Sequence, residues 1–334
     1  MKRNLVRSLF IVLLGIAIGL FYILITKPAD YPPNQPKTAV SITISNGETG
    51  IEIATDLAKN GVIKSAKTFI SDFNSHSRTR GISPGTHLID SHIPTKTAVT
   101  QLLDQGRIEN LIIVKEGSTL SDVIKELGSS KELLKRKIDL NSIKPLFANP
   151  HNYLEGSLYP ANYSFAPKTS PDQAIRQMID KARVSSAYAT LAKGYKGFSS
   201  YQLLTIASLI QIEADPASAS KVAQVIYNRL KIGMPLQLNS TVQYATGQRG
   251  KIALSKNATL TNSPYNTYKN LGLPPSPICN PAEFALKATL NPENGDWLYF
   301  ITVAPGDTRF TKSFEEFQNW TTLFNKNLTK GLFK

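Results

Sequence analysis

Residues 199–233 read SSYQLLTIASLIQIEADPASASKVAQVIYNRLKIG. Ser199 and Ser200 are good helix N-caps, and Leu203, Ile206, Ala207 and Ile210 recur at helical spacing, so a helix runs from here to Glu213. Pro216 follows, and a second helix spans Ser218 to Lys231, with Val222, Val225, Ile226 and Leu230 inward, before a stop at Gly233. The spacing places Glu213 on the apolar face, near a helix end and beside a turn. A carboxyl facing a packed interior loses hydration, which disfavours its charged form and raises its pKa toward the range of a general acid. The same periodicity leaves two other readings open: a helix-end glutamate bent out to solvent, or one paired with Arg229.

Beyond the helix pair the chain turns polar, with Gln237, Asn239, Thr241 and Tyr244, then Tyr265, Asn266, Thr267 and Tyr268. Amides, hydroxyls and aromatic faces suit a saccharide, whose hydroxyl edges need paired donors and acceptors and whose C–H faces stack on rings. Gly272-Leu273-Pro274-Pro275-Ser276-Pro277-Ile278 forms neither a helix nor a central strand and reads as a rigid wall or turn.

On the N-terminal side, Ile42, Ile44, Gly47, Thr49, Ile53, Ala54 and Leu57 align with Ile112, Val114, Gly117, Thr119, Val123, Ile124 and Leu127 at a constant offset. Each copy reads as strand, glycine turn and helix, although any two such units would look alike. The first copy continues into a helix over Ser65 to Phe73 and a strand over Gly85 to Ile89. That βααβ order resembles a LysM-like module, a small fold that binds N-acetylglucosamine-containing glycans; a plain structural subdomain fits the pattern equally.

From Leu9 to Ile25 the chain is almost unbroken apolar sequence, preceded by Lys2, Arg3 and Arg7. With the approach from Leu5 this nears the ~20 residues needed to cross a bilayer, and the basic flank keeps the N-terminus cytoplasmic. No small-residue pair marks a cleavage site, so an uncleaved single-pass anchor is expected, with the remainder extracytoplasmic. Pro28, Pro32, Pro33 and Pro36 then make a stiff spacer. Lys and Arg number 38 against 24 Asp and Glu, a formal charge of +14. That balance calls for a polyanionic partner, and export favours wall polymer or lipid head groups over nucleic acid. With 41% hydrophobic residues, 19% charged and 334 residues in all, wholesale disorder is excluded. Cys279 is the single cysteine and four His are scattered, so neither an intrachain disulfide nor a Cys/His zinc site is available.

The run Ile206 to Ala214, Val222-Ala223, Asn228-Arg229-Leu230 and Gly233-Met234-Pro235-Leu236-Gln237 resembles the YceG/MltG family of membrane-anchored endolytic lytic transglycosylases that cut nascent peptidoglycan. The similarity extends through Thr241-Val242-Gln243-Tyr244, Ser263 to Tyr268 and Gly272 to Pro275, and earlier through Leu154-Glu155-Gly156, Tyr159-Pro160 and Tyr163. The resemblance implies an α+β fold with four segments: an anchor with a short cytoplasmic N-terminus (1–26), a Pro-rich linker (27–38), a LysM-like subdomain (39–110) and a catalytic domain (111–334). It makes Glu213 the catalytic acid, on a helix. It adds Glu155 and Asn228 to the substrate-binding set of Gln237, Asn239, Thr241, Tyr244, Tyr265, Asn266 and Thr267. Gln211, Asn239, Thr308 and Phe317 stand where many members carry glutamate, aspartate and two histidines. The implied partners are glycan strands, the membrane and peptidoglycan synthases. A transglycosylase needs one carboxyl and no cofactor or metal, because the sugar's own C6 hydroxyl is the nucleophile. The rival readings are a muramidase hydrolase, with Asp215 or Glu155 as second carboxylate, and a non-catalytic wall-binding scaffold.

Overall fold

The computed structural model describes residues 29–333, except 46, 76–80, 110, 131, 132, 134, 166, 167 and 251–257. The expected anchor at 1–26 lies outside the described residues, among which no helix is long and apolar enough to cross a membrane. The chain divides into two compact units, one within Met1–Leu111 with Ser164–Pro167, the other comprising Ile112–Tyr163 and Lys168–Lys334.

In the first unit, β1 (Ala39–Ile44), α1 (Gly50–Lys59), α2 (Ala66–Ser75) and β2 (Gly85–Asp90) follow in the order read from the sequence, with α3 (Thr95–Leu103) after them. β1 and β2 pair antiparallel, from Ala39 opposite Asp90 to Ile44 opposite Gly85. Ile42, Ile44 and Ile89 from the strands bury against Ile53, Leu57, Phe69 and Leu102 from the helices. Thr49 starts α1 with a capping box, in which its side chain accepts from Glu52 N and the Glu52 carboxylate accepts the Thr49 N–H at 2.7 Å.

The second unit opens with β3 (Ile112–Val114) and α4 (Leu120–Ser129), the second copy of the strand, turn and helix pattern. Thr119 and Asp122 form the same capping box there, and both turns place a glycine at positive φ, Gly47 at 80° and Gly117 at 73°. β3 pairs antiparallel with β4 (Ala161–Tyr163). Then come α5 (Pro171–Val184), α6 (Ser186–Leu191), α7 (Ser200–Glu213), α8 (Ala219–Lys231), α9 (Asn239–Thr246) and α10 (Glu283–Leu290). The hairpin of β5 (Tyr299–Ala304) and β6 (Asp307–Thr311), followed by α11 (Phe314–Thr329), completes an α+β architecture of small antiparallel sheets.

One expectation is corrected here. α7 has no one-sided apolar face, because every residue from Leu203 to Ile210 is buried. The helix runs between two clusters, with Leu203, Leu204 and Ala207 facing α6 and α10 residues and Ile206, Leu209 and Ile210 facing α8. A helix that is apolar all round is a core helix. Glu213 owes its surroundings to where α7 ends, not to a stripe along it.

Candidate active site

Glu213 is the last residue of α7 and is half-buried. Its Oε1 accepts the backbone N–H of Ser240, the second residue of α9, at 3.2 Å. Burial raises its pKa above the usual carboxylate value, while the Ser240 hydroxyl and N–H and the Arg229 charge oppose that rise. The Ser240 hydroxyl is buried without a partner in hydrogen-bond geometry among the described residues, although it lies near enough to favour the charged carboxyl. Arg229 does not form an ion pair with Glu213. Its buried guanidinium donates from Nε to Leu298 O and from Nη1 to Leu236 O, both at 2.6 Å, and stands over the Tyr299 ring.

Around this carboxyl the expected sugar-binding residues separate into two groups. Asn239 begins α9 and its Oδ1 accepts from the Tyr268 hydroxyl at 2.7 Å, with both side chains half-buried. Gln237 is exposed and holds a positive φ of 49°, a costly conformation for a residue with a Cβ, while its N–H is fixed on Thr267 O at 3.0 Å. Tyr244 and Tyr265 are half-buried with ring centroids 4.9 Å apart, and the Tyr265 hydroxyl bonds Ser276 Oγ at 2.6 Å on the proline-rich wall. These four offer polar atoms or ring faces to a ligand.

The others are committed internally. Thr241 and Thr267 are fully buried and bond each other at 2.9 Å, and Thr267 Oγ1 also accepts the Leu238 N–H. Asn266 is fully buried, donates to Thr259 O and Thr261 O, and accepts the Tyr268 N–H. Asn228 donates to Gly295 O and Trp297 O and accepts from Gln224. Glu155 is buried, with Oε1 accepting the Leu120 N–H at 2.9 Å and Oε2 the Tyr244 hydroxyl at 3.1 Å; burial raises its pKa to about 7. Asp215 is exposed and its Oδ1 accepts from the N–H and hydroxyl of Ser218, closing the turn before α8.

A model of the YceG-like family matches residues 42–322, the span that carries this whole arrangement. The chain belongs to the YceG-like family. It is similar to the endolytic murein transglycosylase of Bacillus subtilis (strain 168), at 36% identity over 84% of this chain and 83% of the relative. A protein of the same name from Streptococcus pneumoniae serotype 2 (strain D39) is 29% identical over 84% of this chain, and the match spans 57% of that relative's length. A crystal structure of a yceG-like protein from Listeria monocytogenes is also similar, with a TM-score of 0.57 and 28% identity, covering 84% of this chain and 98% of that one.

In this YceG-like chain the four residues read from the sequence as departures from the family pattern each have local contacts. Gln211 Oε1 accepts the Ala282 N–H at 2.7 Å, and the Asn239 carbonyl serves Tyr268 as a carboxylate would. Thr308 pairs with Thr302 across the β5–β6 hairpin at 2.8 Å, and Phe317 stacks on Tyr299. Sequence reasoning missed Ser240. Its signal was its place one residue into a helix that begins at Asn239, where backbone N–H groups have no partner in the helix and can hold a carboxyl.

Proposed function

We propose that the chain is an endolytic lytic transglycosylase that cleaves the β-1,4 bond between N-acetylmuramic acid and N-acetylglucosamine in nascent peptidoglycan, leaves 1,6-anhydro ends and so terminates glycan elongation. The observation that carries the reading is Glu213, a carboxyl whose pKa burial raises and which one backbone N–H orients. A neutral carboxylic acid there protonates the bridging oxygen as the C1–O bond breaks. The resulting carboxylate takes the proton of the muramic acid C6 hydroxyl, whose oxygen closes on C1, so the glutamate ends as it began. Gln237, Asn239, Tyr244 and Tyr265 face the sugar, while Thr241, Thr267, Asn266 and Asn228 hold the loops that present them. Mass analysis of products from purified wall material tests the reading, since an anhydro end is lighter by one water than the reducing end that hydrolysis leaves. Reducing ends would assign a muramidase; binding without cleavage would assign a scaffold.

The first unit is proposed as a LysM-like glycan contact. Supporting it is an open cleft of about 510 Å³ where β1 passes into α1, lined by Thr43, Ser45, Glu48, Ile51 and Thr55, with Ile51 65% exposed. Ile51→Asp should lower retention on purified wall material several-fold and leave cleavage of short soluble glycans unchanged; equal retention would make the unit structural. Leu9–Ile25 with its basic flank supports a single-pass anchor that places both units outside the cytoplasm, within reach of glycan strands and their synthases. Fractionation of the full-length chain tests that placement, and recovery of a shorter soluble form beginning near Ala29 would overturn it.

A further inference from the structure

The chemistry above uses Glu213 and leaves a second carboxyl, Glu155, with no part. Glu155 is 7% exposed, too enclosed to touch a sugar, yet both its oxygens are fully engaged. The partners identify what it does. Oε1 holds the N–H of Leu120, the first residue of α4, and Oε2 holds the hydroxyl of Tyr244 on α9. Four residues before Tyr244, about 6 Å along the helix, is Ser240, whose N–H orients Glu213. α9 has only eight residues, so its place depends on what grips it at its ends and sides. Gly156 allows the grip: its φ is 79°, and a Cβ there would meet Pro277 Cβ at 2.7 Å, so Leu154-Glu155-Gly156 presses against the proline-rich wall as no other residue would permit.

We propose that Glu155 is a positioning residue of the reaction: through Tyr244 it fixes the seat of α9, and with it the Ser240 N–H that holds Glu213. The role deepens the transglycosylase reading and rests on it. As a carboxylate, Glu155 accepts from both donors in charge-assisted bonds, which are roughly twice as strong as neutral ones. As a neutral acid it carries a proton on one oxygen, and its hold on Leu120 or Tyr244 weakens. The groups facing it are Tyr244 on α9, Tyr201 on α7, Tyr265, Cys279 and the Arg249 guanidinium; burial pushes the three phenols and the thiol upward, so they stay protonated near neutrality. Arg249 is itself bound to Asp122 at 2.7 Å and to Gly117 O. With Glu155 titrating at about 7, kcat should rise with pH through that value, a limb distinct from the fall that deprotonation of Glu213 brings.

The test is the pH profile of kcat and KM on wall glycan for the full chain and for Glu155→Gln, Tyr244→Phe and the double variant. The glutamine keeps the shape and one accepting oxygen, sets an NH2 donor against the other partner and does not titrate, and the phenylalanine keeps the ring against Tyr265 without the hydroxyl. Each single variant should lose the rise near pH 7, with kcat about tenfold below wild type above that pH and within about twofold at pH 6, and Glu155→Gln, which is too enclosed to touch the sugar, should keep its KM. The double variant should be no worse than either single one, since both cut one link. If Glu155→Gln does not fold, Tyr244→Phe alone decides. A uniform loss that leaves the rise near pH 7 in place, additive losses, or a change confined to KM would overturn the positioning role. A wild-type chain that makes no anhydro-ended product overturns the functional reading and this role with it; an active wild type whose variants keep the rise overturns this role alone.

Discussion

Glu213 stands between two helix ends of opposite sign. It terminates α7, where unpaired carbonyls present a partial negative charge, and it meets the N-terminus of α9, where the Ser240 N–H presents a positive one. Burial disfavours the carboxylate most and lifts the pKa above its usual value of 4.5, the end of α7 acts in the same sense, and the Ser240 donors and the Arg229 charge oppose the rise. A group so placed can give up its proton and persist as an anion until it takes one back, an exchange that a single-carboxyl mechanism requires once in each turnover. Glu213→Gln keeps shape and accepts the same N–H but delivers no proton, so product formation should fall about 10²–10⁴-fold while the thermal midpoint stays near wild type. Asp215→Asn should leave turnover within a few-fold, because Asp215 is spent on Ser218. A loss at Asp215 as large as at Glu213 would falsify the one-carboxyl mechanism.

At the scale of elements, the turn at Gly156 joins stability to function. Gly156→Ala adds a Cβ at positive φ and drives it to within 2.7 Å of Pro277 Cβ and 3.4 Å of the Cys279 carbonyl, where neither ring nor backbone has room to yield. A destabilisation of about 2–4 kcal/mol is expected in urea denaturation, with activity reduced as Glu155 is displaced. A variant as stable as wild type would show that the turn relaxes. The same elements mark what was legible in the sequence. Both helices of the 199–233 segment and the βααβ order came from N-cap residues, apolar spacing and glycine stops, all local signals. Glu213 was singled out through a periodicity that the fold does not use, since α7 is buried all round. The expected sugar-contact set mixes accessible and buried side chains, because polarity in sequence does not say whether a side chain faces solvent. Thr241, Thr267 and Asn266 satisfy buried backbone groups instead, a task that long-range folding assigns. Ser240 went unread for the same reason: its place near a helix start says only that its N–H lacks a partner in the helix, and that N–H acquires meaning when α7 ends beside it.

For the molecule as a whole, a buried carboxyl with a raised pKa makes stability depend on pH in a stated direction. Glu155 ionises near 4.5 when unfolded and at about 7 when folded, so between those values the folded state holds more protons than the unfolded. Stability therefore falls as pH rises through this window, by roughly 3 kcal/mol for a shift of this size, and levels off above it. Glu213 acts in the same direction. His87, buried in the first unit, acts oppositely: burial lowers its pKa below 6.5, so its contribution is lost as pH falls. The two carboxyls and the histidine lie in different units, and both tryptophans, Trp297 and Trp320, lie in the second. Tryptophan fluorescence during urea denaturation thus follows the unit that holds Glu155, and comparison with Glu155→Gln cancels Glu213, which both chains share. The stability of the variant relative to wild type should move in the variant's favour by roughly 3 kcal/mol between pH 4.5 and pH 7.5, whatever its starting offset. A difference that stays constant over this range would mean that Glu155 ionises in the folded chain where an exposed glutamate does, and that burial does not govern it.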